Sequence, residues 1–126
     1  MAINSDVAKS LTTTTMLGPL SCAATANATQ GTGTDISAYE GTLVFIENVG
    51  TITGTLAGKI ITSAASNLSS PTDVGTFTAR TTDNDNATST LEVNCSALKQ
   101  YVGYIGTIGT GPALISVTVT GSLKYN

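Results

Sequence analysis

The clearest pattern in the chain lies near its end. From Leu114 to Leu123, Ile115, Val117 and Val119 alternate with Ser116, Thr118 and Thr120. Period-two alternation puts each set on its own face of an extended chain, so it predicts a half-buried β-strand. Gly111-Pro112 starts this strand and Gly121 interrupts its end. Leu91, Val93 and Cys95 alternate in the same way against Thr90, Glu92 and Asn94, as do Phe77 and Ala79 against Thr76, Thr78 and Arg80. Leu43-Val44-Phe45-Ile46 is apolar at every position, which predicts a central strand covered on both faces. Ile52 to Thr62 reads as a longer strand, with Gly54 and Gly58 as bulges or bends. Tyr101 to Ile108 reads as another, rich in aromatic and β-branched residues. No segment keeps a helical period over several turns. Ser5 to Leu11 suits a turn or two, and Asn94 to Lys99 one.

Short strands punctuated by Gly, Asn, Asp and Pro predict an all-β chain: a single-domain antiparallel β-sandwich, jelly-roll-like, over residues 21–126. Residues 1–20 form an expected N-terminal arm. They mix polar residues with Val7, Leu11, Met16 and Leu17 and contain the run Thr12-Thr13-Thr14-Thr15. Such a segment suits an extended arm seeking a sheet edge or a neighbour. It equally suits a frayed terminus or a first strand of the domain.

Composition sharpens this picture. Charged residues make up 10% of the chain, against about 25% in an ordinary soluble domain. Thr, Ser, Asn and Gly stand where Lys and Glu would normally sit, and β-branched threonine favours pleated, half-exposed surfaces. With little charge to keep copies apart, the chain suits life inside an assembly. The net charge is −3, and Lys9, Lys59, Arg80, Lys99 and Lys124 are scattered rather than clustered, so no nucleic-acid partner is expected. No apolar run follows a basic segment at the start, so a signal peptide is not expected. The longest apolar run, Leu43 to Ile46, is far too short for a bilayer, and no membrane partner is expected. In a protein made in the cytoplasm, Cys22 and Cys95 are expected as buried free thiols, with a disulfide between them as the alternative.

Candidate chemistry is sparse. The chain has no histidine, which removes the commonest general base. A serine or cysteine nucleophile then lacks its usual partner. The carboxylate pairs Glu40 with Glu47 and Asp73 with Asp83 are the candidates for glycoside cleavage, but nothing in the sequence brings either together. Each residue is better read as a turn or solvated-face residue. Asp83-Asn84-Asp85-Asn86 offers hard oxygen ligands for calcium but lacks the glycine and terminal glutamate of an EF-hand, so a solvated turn is the preferred reading. Gly103, Gly106, Gly109 and Gly111 lead into a strand rather than a helix and read as strand, turn, strand. The Asn-x-Ser/Thr sites at Asn27, Asn67, Asn86 and Asn94 fit chance in a Ser/Thr-rich chain. The expectation is a non-enzyme with no catalytic, cofactor-binding or metal site.

Several stretches also carry a resemblance. Ser5-Asp6-Val7-Ala8-Lys9 leads into Thr-rich sequence, and Thr32-Gly33-Thr34-Asp35-Ile36-Ser37-Ala38-Tyr39-Glu40-Gly41 follows. Then come Leu43 to Thr55 and Tyr101-Val102-Gly103-Tyr104-Ile105-Gly106. In this order the chain resembles the small capsid decoration, or cement, proteins of tailed phages. The resemblance implies a structural virion protein on the outer surface of the head, made in the host cytoplasm. It would bind the major capsid protein and stabilise contacts between its subunits. A homotrimer at three-fold positions is the implied oligomer, with a homodimer as the alternative. Two features depart from the family pattern. Thr107 to Pro112 stands where Lys or Arg is expected, and Ser63 to Pro71 is small and neutral where an acidic, Asn-rich turn is expected. Any contact made there would be less ionic. Another phage structural module, such as a head fibre base, tail or adhesion component, is the alternative function. A carbohydrate-binding or enzymatic module is disfavoured by the absence of tryptophan and histidine.

Overall fold

A computed structural model describes residues 11–124, and alternating burial organises these residues into nine strands. They are β1 (Leu11–Cys22), β2 (Thr34–Asp35), β3 (Tyr39–Ile52), β4 (Thr55–Ser63), β5 (Thr72–Thr76), β6 (Arg80–Thr81), β7 (Ala87–Asn94), β8 (Tyr101–Ile108) and β9 (Ala113–Leu123). The single helical element among the described residues is a 3₁₀ turn at Cys95–Ala97, capped by the Asn94 side chain, which accepts from Ser96 N–H. In β9, Ile115, Val117 and Val119 are buried while Ser116, Thr118 and Thr120 are half-buried on the other face, as the period predicts.

The strands form two packed antiparallel sheets, ordered β1-β9-β3-β7 and β2-β8-β4-β5, with β6 also on β4. The pairings are nested: β1 with β9, β2 with β8, β3 with β7, and β4 with β5 and β6. This is one long antiparallel ribbon folded back at the β4–β5 end. Rolling the ribbon then brings β3 beside β9 and β4 beside β8, which closes both sheets. A rolled ribbon of this order is a jelly roll, so the protein is an all-β antiparallel sandwich. Between the sheets lie Leu43, Phe45 and Val49 of β3, Ile115, Val117 and Val119 of β9, Leu56 and Ile60 of β4, and Val102 and Tyr104 of β8.

Four expectations need correction. Ile52 to Thr62 is not one strand: β3 ends at Ile52, β4 starts at Thr55, and the chain changes sheets at Thr53-Gly54. Gly58 is not a bulge, because β4 and β8 stay in register from Leu56↔Ile108 to Ser63↔Tyr101. The Phe77 to Ala79 stretch lies between strands, with Phe77 buried against the Tyr104 ring (6.1 Å between centroids). Val44 and Ile46 are half-buried rather than covered, since they face outward from the sheet. Residues 11–20 belong to β1, the form expected if this segment were a first strand of the domain. Residues 1–10, the rest of the expected arm, lie outside the described residues.

Candidate functional site

Strand β3 places 43, 45, 47 and 49 on one face, so Glu47 enters the core in phase with Leu43, Phe45 and Val49. Its side chain is 0% exposed. The Tyr104 hydroxyl donates a hydrogen bond across the sandwich to Glu47 Oε2. Gly58 makes this possible: a Cβ there would collide with both the Glu47 carboxylate and the Tyr104 hydroxyl. Glu47 lies opposite Ser89 of β7, which accepts a 2.6 Å hydrogen bond from Arg80 Nη2. Glu47 Oε1 and Arg80 Nε have no hydrogen-bond partner among the described residues.

Loss of water raises the Glu47 carboxyl above the usual carboxylate range, against the opposing pull of the Tyr104 hydrogen bond and the Arg80 charge. Burial likewise raises the Tyr104 hydroxyl, reinforced by the neighbouring carboxylate. A carboxyl buried in the core and hydrogen-bonded to a tyrosine of the opposite sheet ties the two sheets together.

The outer face of the same sheet is different. Leu114 of β9 sits between Ser21 of β1 and Gly50 of β3, and it is 45% exposed. A Cβ on Gly50 would come 3.0 Å from the Leu114 Cβ, so the leucine lies directly over the glycine. Pro19, Leu20 and Leu114 rim an open groove of about 450 Å³, with Asn48 and Ser116 at its polar margin. Leu20 is 38% exposed. β1 and β9 contain no charged residue, so this surface is apolar and hydroxylated.

Most sequence candidates are not brought together. Glu40 is exposed at the start of β3 while Glu47 is buried, which corrects the expectation that Glu47 faces solvent. Asp73 pairs with Lys59 at 3.1 Å on the surface, far in the topology from Asp83 in the β6–β7 turn. The Asp83 to Asn86 segment is a turn. Asn84 Oδ1 accepts from Thr81 N–H at 2.6 Å, Asp85 Oδ2 accepts from Ile52 N–H, and Asn86 takes a positive φ. No group of three or more metal-ligating side chains occurs among the described residues. Gly103 to Gly111 runs through β8 and the turn into β9.

Cys22 and Cys95 are both free, Cys22 buried and Cys95 half-buried. Cys95 lines a smaller pocket of about 220 Å³ with Lys99 and Lys124. Burial raises its thiol above the usual thiol value, against the pull of the Lys124 charge, which disfavours the reactive thiolate. Ser96 and Lys99 have the spacing of a lysine-assisted serine, a pair absent from the candidates above. Both are exposed, and no hydrogen bond joins them. No helix among the described residues is long and apolar enough to cross a membrane.

The described residues therefore define a jelly-roll domain with an uncharged, partly apolar groove on the outer face of one sheet and a buried Glu47–Tyr104 pair between the two sheets. No protein-family model and no curated protein matches the chain. Among solved structures it is similar to a Bacillus endospore appendage pilus protein (14% identity, 91% of this chain and 90% of that one, TM-score 0.46). It is also similar to VP2 of infectious bursal disease virus in a subviral particle (18% identity, 89% of this chain, TM-score 0.45). The chain spans about a third (32%) of that VP2 chain. A third similar structure is PirA (13% identity, 90% of this chain and 93% of that one, TM-score 0.39).

Proposed function

We propose that this chain is a capsid decoration protein of a tailed phage, seated on the outer surface of the head and bridging neighbouring copies of the major capsid protein. The observation that carries the reading is the uncharged outer surface of β1 and β9 with Leu20 and Leu114 standing out of it. The stretches that resemble cement proteins support it, as does a composition with little charge repulsion. Covering the exposed part of each leucine supplies about 1–2 kcal/mol. One copy therefore adds little, and a shell bearing many copies adds a great deal. A homotrimer suits three-fold positions of a shell and a homodimer suits two-fold positions.

The test is to add the purified chain to expanded, undecorated heads and to quantify bound copies by mass spectrometry. Hundreds of copies per head, lost when Leu20→Ser and Leu114→Ser are combined, would support the proposal. No binding would overturn it. In native particles, a copy number matching the tail or the vertices would favour the alternative of a tail, fibre-base or adhesion component.

A further inference from the structure

A sandwich of two sheets has four outer strands, and they are not alike. β2 has two residues, one of them Asp35. The β5/β6 side is split into short pieces and carries Asp73 and Arg80. β7 carries Glu92. β1 is twelve residues long, contains no charge, and among the described residues pairs only with β9. Outer strands normally carry a lysine, a proline or a bulge that stops another strand from adding. β1 has such features only in its second half. Its register with β9 is unbroken from Leu11↔Ser122 to Thr15↔Thr118 and then shifts twice before Leu20, with Pro19 beyond. One side of residues 11–15 is thus a regular, uncharged row of backbone donors and acceptors.

We propose that this row pairs with residues 11–15 of a second copy, antiparallel about a two-fold axis at Thr13, joining two four-stranded sheets into one of eight. The sequence Leu11-Thr12-Thr13-Thr14-Thr15 is self-complementary in that register. Thr13 faces Thr13 of the second copy, Thr12 faces Thr14, and Leu11 faces Thr15. Facing residues share a side of the sheet, so Leu11, Thr13 and Thr15 meet on the outer face, where Leu11 is now 48% exposed. The chain already uses such pairs: Thr13 Oγ1 and Thr120 Oγ1 lie 2.9 Å apart across β1 and β9. A five-residue seam is short, so the dimer is weak in solution and gains occupancy where a lattice holds copies side by side. Of the two oligomers the sequence allows, this edge favours the dimer, and it does so whether or not the chain binds a capsid.

The experiment uses the full-length chain with Cys95→Ser as background. Thr13→Cys places thiols face to face across the axis, whereas Thr118→Cys places one on the same face inside the sheet. Mild oxidation should give a covalent dimer with Thr13→Cys at least tenfold faster than with Thr118→Cys. Adding Thr15→Lys should leave the fold unchanged by circular dichroism and abolish the cross-link. Sedimentation of the unmodified chain should show a concentration-dependent dimer that Thr13→Lys removes. Equal cross-linking of the two cysteine variants would overturn the proposal. So would cross-linking that appears only after residues 1–10 are deleted, because the edge would then be taken by the chain's own start.

Discussion

Strand β3 carries Glu47 on its inner face among Leu43, Phe45 and Val49, while its outer face runs under the exposed Leu114 at Gly50. Both features break the rule that apolar side chains face in and polar ones out, in opposite senses. The inner exception is fully enclosed, has a partner, and is given room by a glycine. The outer one is open, has no partner among the described residues, and is bordered by hydroxyl groups. A buried polar pair such as Glu47 with Tyr104 fixes how two sheets register on each other, at a cost in desolvation. An apolar side chain left in water does nothing for the isolated fold and becomes useful only on contact. Substitutions inside should therefore move stability and spare association. Substitutions outside should do the reverse.

The largest effect should come from Gly58→Val. Its side chain would occupy the space of the Glu47 carboxylate and Tyr104 hydroxyl, and about 3 kcal/mol of stability should be lost in urea unfolding. Tyr104→Phe should cost about 2 kcal/mol at neutral pH, because Glu47 Oε2 loses its donor. Combining it with Glu47→Leu should recover much of that loss, since an apolar pair leaves no orphaned acceptor. Full additivity of the two losses would break the pairing argument.

The third effect is pH-dependent. Folding raises the Glu47 carboxyl above its ordinary value of 4.5. The protonated form is therefore the one the fold prefers, and its contribution is complete below that value. It is lost as pH rises through the higher folded value. Glu47→Gln should gain on the unmodified protein as pH climbs from 4.5 to neutral, as read from Tm against pH. A constant difference across that range would show that the carboxyl does not titrate between folded and unfolded forms.

Outside, Leu114→Ser should change stability by no more than about 0.5 kcal/mol while weakening any association through the groove, by sedimentation or head binding. Lys59→Ala should be smallest, below about 0.5 kcal/mol and vanishing in high salt, because its bridge to Asp73 is exposed.

Particular residues show how much of the molecule is legible in the chain. The pattern bounds β8 at Tyr101 and Ile108, from its aromatic and β-branched run ending before Gly109, and β9 within a residue, from strict alternation after Gly111-Pro112. The break between β3 and β4 is hidden because Ile52-Thr53-Gly54-Thr55 keeps its β-branched character while changing sheets. Glu47 carries a readable signal: it falls in phase with 43, 45 and 49, and the strand period alone marks it as inward-facing. Its partner carries none. Tyr104 lies 57 positions away on the other sheet, and only the rolled ribbon brings the two together. The groove is illegible for the same reason, since Leu20, Gly50 and Leu114 come from three separate strands.

The order of strands also bears on how the molecule is made. β9 is the last of the nine described strands in chain order, yet it lies between β1 and β3. While the ribosome still holds residues 113–123, β1 lacks its β9 partner and β3 is open along one side. The first sheet therefore closes only in one late step, when β9 slides in as a wedge. Until then, nascent chains on one polysome expose matching strands to each other, and the cell's chaperones have that interval in which to keep them apart.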